Sequence, residues 1–246
     1  MQTTNKDSKN SQVVVPWAKI VFGPDHISST RYDDIYFSNQ GRFDEGMHVF
    51  MSGNDLPRRF LEESNHFVIG EIGFGMGLNF LLATTLPRSC KLTYIAYEKH
   101  PLTISDLLQV YKQIELPASP LRERFLEEYP KLLPTDHYPT TVTHTFPAEN
   151  IELILYWGDL ALEAAKGLEL PYLVNAWFLD GHSPKKNPEL WSYPLFANLF
   201  KNTANGGTAA TYSVARMVRQ NLLDAGFSIR KIPGVGNKKN SLAAIK

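Results

Sequence analysis

Glu71-Ile72-Gly73-Phe74-Gly75-Met76-Gly77-Leu78-Asn79 joins two segments of different periodicity. Before it, Phe67-Val68-Ile69-Gly70-Glu71-Ile72 is the short apolar run of a strand buried in a parallel sheet, and after it Leu78-Asn79-Phe80-Leu81-Leu82-Ala83 has the composition of a helix. The glycines therefore stand at a strand-to-helix turn. The N–H groups of a first helical turn have no intrahelical partner, and a missing Cβ lets a ligand approach the main chain. The spacing Gly73-x-Gly75-x-Gly77 departs from the G-x-G-x-x-G of dinucleotide sites, and an acid, Glu71, precedes the first glycine. That variant favours S-adenosylmethionine over NAD, with a purely structural glycine turn as the alternative for the loop taken alone.

The next acid strengthens the reading. Leu92-Thr93-Tyr94-Ile95-Ala96-Tyr97-Glu98 reads as a second strand, and Glu98 lies 21 residues after Gly77. In a βαβ unit that position reaches the ribose hydroxyls of a nucleoside bound at the carboxyl ends of the strands, where a carboxylate accepts two hydrogen bonds from a diol.

Composition sets wide bounds. A chain of 246 residues, 43% of them hydrophobic, buries one substantial α/β core, and no internal repeat points to another architecture. Twenty-five basic residues balance twenty-five acidic ones, so a polyanionic partner has to be met by a local patch. Cys90 is the sole cysteine, which excludes an internal disulfide and a cysteine-rich zinc site and points to a reducing compartment. Residues 1–10 are polar, and no apolar stretch reaches the length of a membrane span. The expectation is a soluble cytoplasmic protein with neither a membrane nor a metal partner.

Residues 1 to about 12 are expected to be disordered, and residues 1–65 to form an N-terminal extension laid on the core. Strand and helix then alternate through a Rossmann-like domain at 66–246: strand 67–72, helix 78–86, strand 92–98, helix 101–113. A Pro-rich segment, about 115–148, with Pro117, Pro120, Pro130, Pro134 and Pro139 and a short helix at 121–128, reads as an insertion. Alternation resumes with strand 151–157, helix 160–168, strand 172–179, helix 188–201, strand 207–212 and helix 214–225. Two last strands, 227–232 and 241–245, are joined through Pro233-Gly234-Val235-Gly236-Asn237, a connection that makes them antiparallel. The expected fold is α/β: the class I S-adenosylmethionine-dependent methyltransferase sheet, mostly parallel and seven-stranded, ending in an antiparallel hairpin.

At this point the residues resemble one family. Asp33-Asp34-Ile35-Tyr36-Phe37-Ser38, the loop from Gly70 to Phe80, and Glu98-Lys99-His100-Pro101-Leu102 are similar to the methyltransferase half of the bifunctional tRNA wobble-uridine enzymes of the MnmC family. So are Ala176-Trp177-Phe178-Leu179-Asp180-Gly181, Lys186-Asn187-Pro188 with Trp191, and Ala225-Gly226-Phe227; the match runs in order through roughly residues 30–245. The resemblance implies N-methylation of 5-aminomethyluridine, or its 2-thio form, at the tRNA wobble position. The flavin-dependent oxidase half has no room in this chain, so the resemblance implies a stand-alone methyltransferase or an isolated domain, with a separate FAD-dependent oxidase acting upstream. Two departures stand out: His182 where the family shows Phe after Asp-Gly, and Gly234-Val235-Gly236-Asn237-Lys238-Lys239-Asn240 where it shows Gly-Phe-Gly-Arg-Lys-Arg-Glu.

Chemistry points to an amine acceptor independently. Methylation at C5 of a pyrimidine commonly uses a cysteine nucleophile, and Cys90 lies before the second strand, at the opposite edge from the glycine loop. A primary amine needs only to lose a proton and to face the methyl in line. Asp180, ending the fourth strand, is placed to accept that proton or orient the amine, and His182 shares the candidate catalytic role, with a packing histidine as its alternative. Asp159, in Trp157-Gly158-Asp159, is a candidate for the adenine amino group or a plain helix cap. Tyr36 is a candidate cap on the cofactor or stacking surface for the base. The candidate cofactor set is thus Tyr36, Glu71, Gly73, Gly75, Gly77, Asn79, Glu98, Asp159 and Asp180.

Contact with tRNA rests on scattered cations: Lys185 and Lys186 after Asp180, Arg216 and Arg219 one helical turn apart, and Arg230, Lys231, Lys238 and Lys239 on the terminal hairpin. The anticodon loop is single-stranded, so its wobble base is reached without opening a duplex. Two other readings stay open: a small-molecule amine methyltransferase or aminopropyl transferase on the same scaffold, and a catalytically silent RNA-binding module.

Overall fold

The computed structural model describes residues 14–38, 41–114, 119–135, 137–235 and 239–246. The expectation of disorder at residues 1–12, the proline at 117 and the hairpin residues 236–238, Lys238 among them, lie outside the described residues. The described part of the extension is folded. Three short antiparallel strands, β1 (Ile20–Phe22), β2 (His26–Ser29) and β3 (Asp34–Ser38), precede α1 (Arg42–Gly46), a π-helical turn (Met47–Ser52) and α2 (Leu56–Glu62).

The alternating part follows: β4 (His66–Ile72), α3 (Leu78–Thr84), β5 (Lys91–Glu98), α4 (Ile104–Gln113), α5 (Pro120–Leu132), β6 (Thr140–Phe146), β7 (Ile151–Trp157), α6 (Leu160–Lys166), β8 (Val174–Leu179), α7 (Tyr193–Lys201), β9 (Thr203–Thr211), α8 (Arg216–Asp224), β10 (Ser228–Pro233) and β11 (Asn240–Ile245). In the sheet they take the order β10-β11-β9-β8-β4-β5-β7-β6. Strands β9, β8, β4, β5 and β7 are parallel, and β11 and β10 close one edge as the expected antiparallel hairpin. The chain leaves β4 toward β5 on one side and returns to β8 on the other. This reversal opens a crevice at the carboxyl ends of β4 and β8, where ligands of such sheets bind.

The sheet has one strand more than the seven expected. The Pro-rich segment contains β6, paired antiparallel along β7, and a helix reaching Leu132 with Pro130 inside it. The reason is legible afterwards: Thr140-Thr-Val-Thr-His-Thr-Phe146 is β-branched with alternating exposure, the pattern of an edge strand. Helix 188–201 is also divided, into a 3-10 turn at Pro188–Trp191 and α7.

Side chains alternate between two cores. Phe67, Ile69, Leu92, Tyr94 and Phe178 face α3, α4, α5 and the extension, whereas Val68, Ile72, Ile95, Trp177 and Leu179 face α6, α7 and α8. Burying a side chain of this size contributes about 1.5–3 kcal/mol, so apolar runs on both faces are what hold a parallel sheet together. Gly70 is required by close approach, since a Cβ there would lie 2.3 Å from the Trp177 ring.

Asn54, wholly buried after the π-turn, ties the extension to the sheet. Its Nδ2 donates to the carbonyls of Phe50 (3.0 Å) and Trp177 (3.3 Å), and its Oδ1 accepts from the Thr208 hydroxyl (2.7 Å). Replacing Asn54 with Leu removes its donors from the buried Phe50 and Trp177 carbonyls and is expected to cost about 1–3 kcal/mol in urea unfolding. An unchanged midpoint would show that this side chain does not couple extension and sheet.

Candidate functional site

A cavity of about 950 Å³ opens at the carboxyl ends of β4, β5, β7 and β8, with residues of the extension as its outer wall. Its floor is the glycine loop. Gly73 takes φ +85°, and a Cβ there would lie 2.1 Å from the Asp180 carbonyl oxygen, so only glycine lets the loop meet the end of β8. The N–H groups of Gly73 and Phe74 are spent on the Tyr97 carbonyl, each at 2.9 Å, so the loop is held rigidly by β5.

Glu98 closes the end of β5. One carboxylate oxygen accepts the Gly75 N–H at 2.9 Å and the other the His100 N–H at 2.7 Å. Burial raises its pKa, and the N–H groups of His100, Gly75 and Lys99 work against that rise. Two anchored oxygens keep further lone pairs for a diol.

The crevice itself is bridged by Asn79 at the start of α3. Its Nδ2 donates to Glu71 Oε1 and to Asp180 Oδ2, both at 2.8 Å. The Tyr94 hydroxyl donates to the other Glu71 oxygen at 2.8 Å, and burial followed by the Glu71 charge pushes that phenol well above its usual pKa, keeping it a donor. Glu71 is fully buried and Asp180 8% exposed. Behind Asp180, the Tyr212 hydroxyl donates to the Gly181 carbonyl and the Trp191 indole to that of His182 (2.9 Å), which fixes the loop.

Asp159 lines the cavity and caps α6, its Oδ1 accepting from Ala161 (3.0 Å) and Leu162 (3.4 Å). Lys99 holds the other oxygen at 2.6 Å. Burial pulls this carboxyl upward, but Lys99 and the cap outweigh it and the pKa is lowered.

The outer wall comes from residues around β3. Tyr36 closes over Gly75, 3.2 Å from where a Cβ would stand, and its hydroxyl is buried with no partner among the described residues. Tyr32 stacks on His182 (ring centroids 4.3 Å apart) and bonds His100 Nε2 at 3.2 Å, while His100 Nδ1 donates to the Pro16 carbonyl at 2.8 Å. Asp34 accepts the Ser183 N–H at 2.9 Å.

Of the residues singled out in the sequence, Tyr36, Gly73, Gly75, Asn79, Glu98, Asp159, Asp180 and His182 line the cavity; Glu71 and Gly77 lie behind it. Lys185, Lys186, Arg216, Arg219 and Lys239 do not line it, and Lys186 is engaged with the Asp33 carboxylate at 2.6 Å. The cations that do are Lys19, Arg31 and Lys99. Sequence reading also passed over Tyr32, Asp34 and His100 as site residues. Asp34 and His100 stand in the quoted strings Asp33–Ser38 and Glu98–Leu102 and Tyr32 just before the first, but only packing assigns them a wall. Among the described residues no group of His, Cys, Asp and Glu is placed to hold a metal, and no helix is long and apolar enough to cross a membrane.

Residues 118–246, just over half of the chain, match the family described as S-adenosyl-L-methionine-dependent methyltransferase. The chain belongs to that family, and S-adenosylmethionine is its cofactor. Over 224 residues it is 39% identical to the tRNA 5-methylaminomethyl-2-thiouridine biosynthesis bifunctional protein MnmC of Stutzerimonas stutzeri (strain A1501), covering 87% of this chain and 32% of that protein. The protein of the same name from Legionella pneumophila (strain Corby) is 38% identical over 236 residues, 88% of this chain and 34% of its own. The chain thus spans about a third of the length of these curated relatives. The crystal structure of MnmC2 from Aquifex aeolicus shares the fold, with a TM-score of 0.70 and 22% identity over 92% of this chain and 70% of that one.

The residues fit the cofactor. The glycines of the floor, the anchored Glu98 and the unspent Tyr36 hydroxyl are what a nucleoside with a charged tail needs. Valine at position 75 would have to adopt φ +57° and crowd Tyr36. Such strain costs of order 1–3 kcal/mol, so Gly75→Val is expected to weaken S-adenosylmethionine binding in calorimetry by about tenfold or more. Wild-type affinity in this variant would remove the loop from the cofactor site. Burial drives the His100 pKa from 6.5 to about 4, so the unfolded chain binds the proton that the folded one refuses. Stability is expected to fall as pH drops from 6.5 toward 4, and His100→Gln to flatten that slope in pH-dependent unfolding.

Proposed function

We propose that this protein methylates the amine of 5-aminomethyluridine, or of its 2-thio form, at the wobble position of tRNA. The observation that carries the reading is Asp180: a nearly buried carboxylate at the switch crevice, one oxygen pinned by Asn79, facing the same cavity as Glu98 and the glycine loop. When bound, S-adenosylmethionine supplies an electrophilic methyl group on a sulfonium. The protein's part is to position an amine and remove its proton. Asp180 attracts and orients the ammonium and accepts the proton that leaves it, the N–H electron pair staying on nitrogen as the lone pair that faces the methyl in line.

Cys90 plays no part in this scheme. It is buried just before β5, at the amino ends of the parallel strands, and burial raises its thiol pKa. The site therefore suits an amine, which needs no covalent help, better than a ring carbon. The name shared by the relatives, which speaks of methylaminomethyl-2-thiouridine, supports the same acceptor. The anticodon loop of tRNA offers that base unpaired, and exposed Lys19 and Arg31 at the cavity mouth suit its phosphates better than the ion-paired Lys186.

Transfer of labelled methyl to three acceptors tests the proposal: tRNA carrying the aminomethyl group, unmodified tRNA and free polyamines. Label is expected in the first alone; label only in polyamines would replace tRNA with a small amine. In the same assay Asp180→Asn is expected to keep cofactor affinity and lose roughly two or more orders of magnitude in turnover. Near-normal turnover would return Asp180 to a structural role.

A further inference from the structure

Two rings stand face to face in the cavity wall. Tyr32 and His182 both line the cavity, their centroids 4.3 Å apart and their planes 29° from parallel, and Tyr36 meets His182 edge-on at 5.5 Å. One comes from the segment just before β3 and the other from the loop after β8. The His182 ring is set by packing, since its Nδ1 lies 3.6 Å from Asp34 Oδ2, beyond hydrogen-bond distance. The frame around the pair is bonded. The Tyr32 hydroxyl is tied to His100 Nε2 at 3.2 Å and its N–H to Ser29 Oγ at 3.4 Å. On the other side the Trp191 indole donates to the His182 carbonyl at 2.9 Å, and the Ser183 N–H to Asp34 at 2.9 Å. A surface fixed before its ligand arrives costs little to order on binding.

The neighbours of the pair set three chemistries in a row. Asp180 precedes His182 by two residues, and Arg31, an exposed cation lining the same cavity, precedes Tyr32 by one. Carboxylate, ring pair and cation follow one another as the amine, the flat base and the phosphate do in an aminomethyl nucleotide. The His182 side chain keeps 16% of its surface exposed although Tyr32 is stacked on it, so the pair still offers a ring to the cavity. Burial lowers the His182 pKa against the pull of Asp34 and Asp180. The ring is therefore uncharged at neutral pH and does not repel an ammonium beside Asp180.

We propose that the Tyr32–His182 pair is the platform on which the acceptor pyrimidine stacks, a binding role that selects an amine carried on a flat base. The inference rests on the acceptor being a nucleobase amine, and it leaves proton removal with Asp180. It asks of position 182 a flat ring and no titrating nitrogen, which a phenylalanine supplies equally. A polyamine has no face to lay against the pair. Asp180 attracts both kinds of amine by charge, whereas the platform separates them by shape.

The test compares His182→Ala with His182→Phe in methyl transfer to tRNA carrying the aminomethyl group, with the S-adenosylmethionine affinity of each measured by calorimetry. Cutting a stacking ring to alanine weakens base binding about tenfold, so KM for this tRNA is expected to rise about tenfold in His182→Ala, with kcat and cofactor affinity within about threefold of wild type. His182→Phe is expected to recover most of that loss. In the wild-type protein with the demethylated cofactor bound, NMR is expected to show an NOE between the C6 proton of bound 5-aminomethyluridine and the His182 ring. An unchanged KM in His182→Ala, no recovery in His182→Phe, a matching loss of cofactor affinity, or no such NOE from the bound nucleoside would each overturn the platform alone. A wild type that methylates polyamines and not tRNA would instead overturn the acceptor reading, and the platform with it.

Discussion

One side-chain amide stands between two buried carboxylates, and the site is arranged around it. Glu71 is the penultimate residue of β4 and Asp180 follows β8, neighbouring parallel strands, so the sheet brings two acids together where exposure is 0% and 8%. Unbridged, that pair would be strongly unfavourable, because like charges repel most where water is excluded. Asn79 places one N–H on each, and the acceptor-only carboxylates dictate which way the amide faces. Position 79 lies on the first turn of α3, so the bridge also sets how α3 enters after the glycine turn. The close contact of Gly73 with the Asp180 carbonyl follows from the same alignment.

Charge is segregated around this bridge. Asp34, Glu45, Glu98, Asp159, Asp180 and Glu189 line the cavity against three cations, and Lys99 is neutralised by Asp159. A chain with zero formal net charge has thus gathered six acids around a cavity whose family uses a sulfonium cofactor. Lys19 and Arg31 line the cavity as exposed cations, unneutralised among the described residues, in contrast to Lys99.

The parts legible in the sequence are those whose physics is local. A glycine turn between an apolar run and a helix, and an acid at a fixed spacing beyond it, need no tertiary contact to be read, and Gly73, Gly75, Glu98 and Asp180 all reach one cavity. Strand β6 was obscured because prolines at 130, 134 and 139 mark a loop more loudly than alternating threonines mark an edge. The wall residues Tyr32, Asp34 and His100 were invisible as a group for another reason. Their partners lie 68 to 149 residues away, and no periodicity carries such a contact. The Lys186 ion pair with Asp33, 153 residues distant, belongs to the same class.

Those long contacts make the extension part of the site. The segment from Pro16 to Ala18 is bonded to His100 and Pro101, beyond the end of β5, whereas Asp33 and Asp34 are bonded to Lys186 and Ser183, beyond the end of β8. One stretch of chain therefore spans the crevice from its Glu98 side to its Asp180 side, with Tyr32 and Tyr36 facing inward between the two anchors. The anchors differ in kind. The β5 side rests on a buried imidazole that remains neutral down to about pH 4, while the β8 side includes an exposed ion pair that salt screens. Salt therefore weakens the β8-side ion pair, which can exchange its partner for water, and leaves the buried contacts of the β5 side in place.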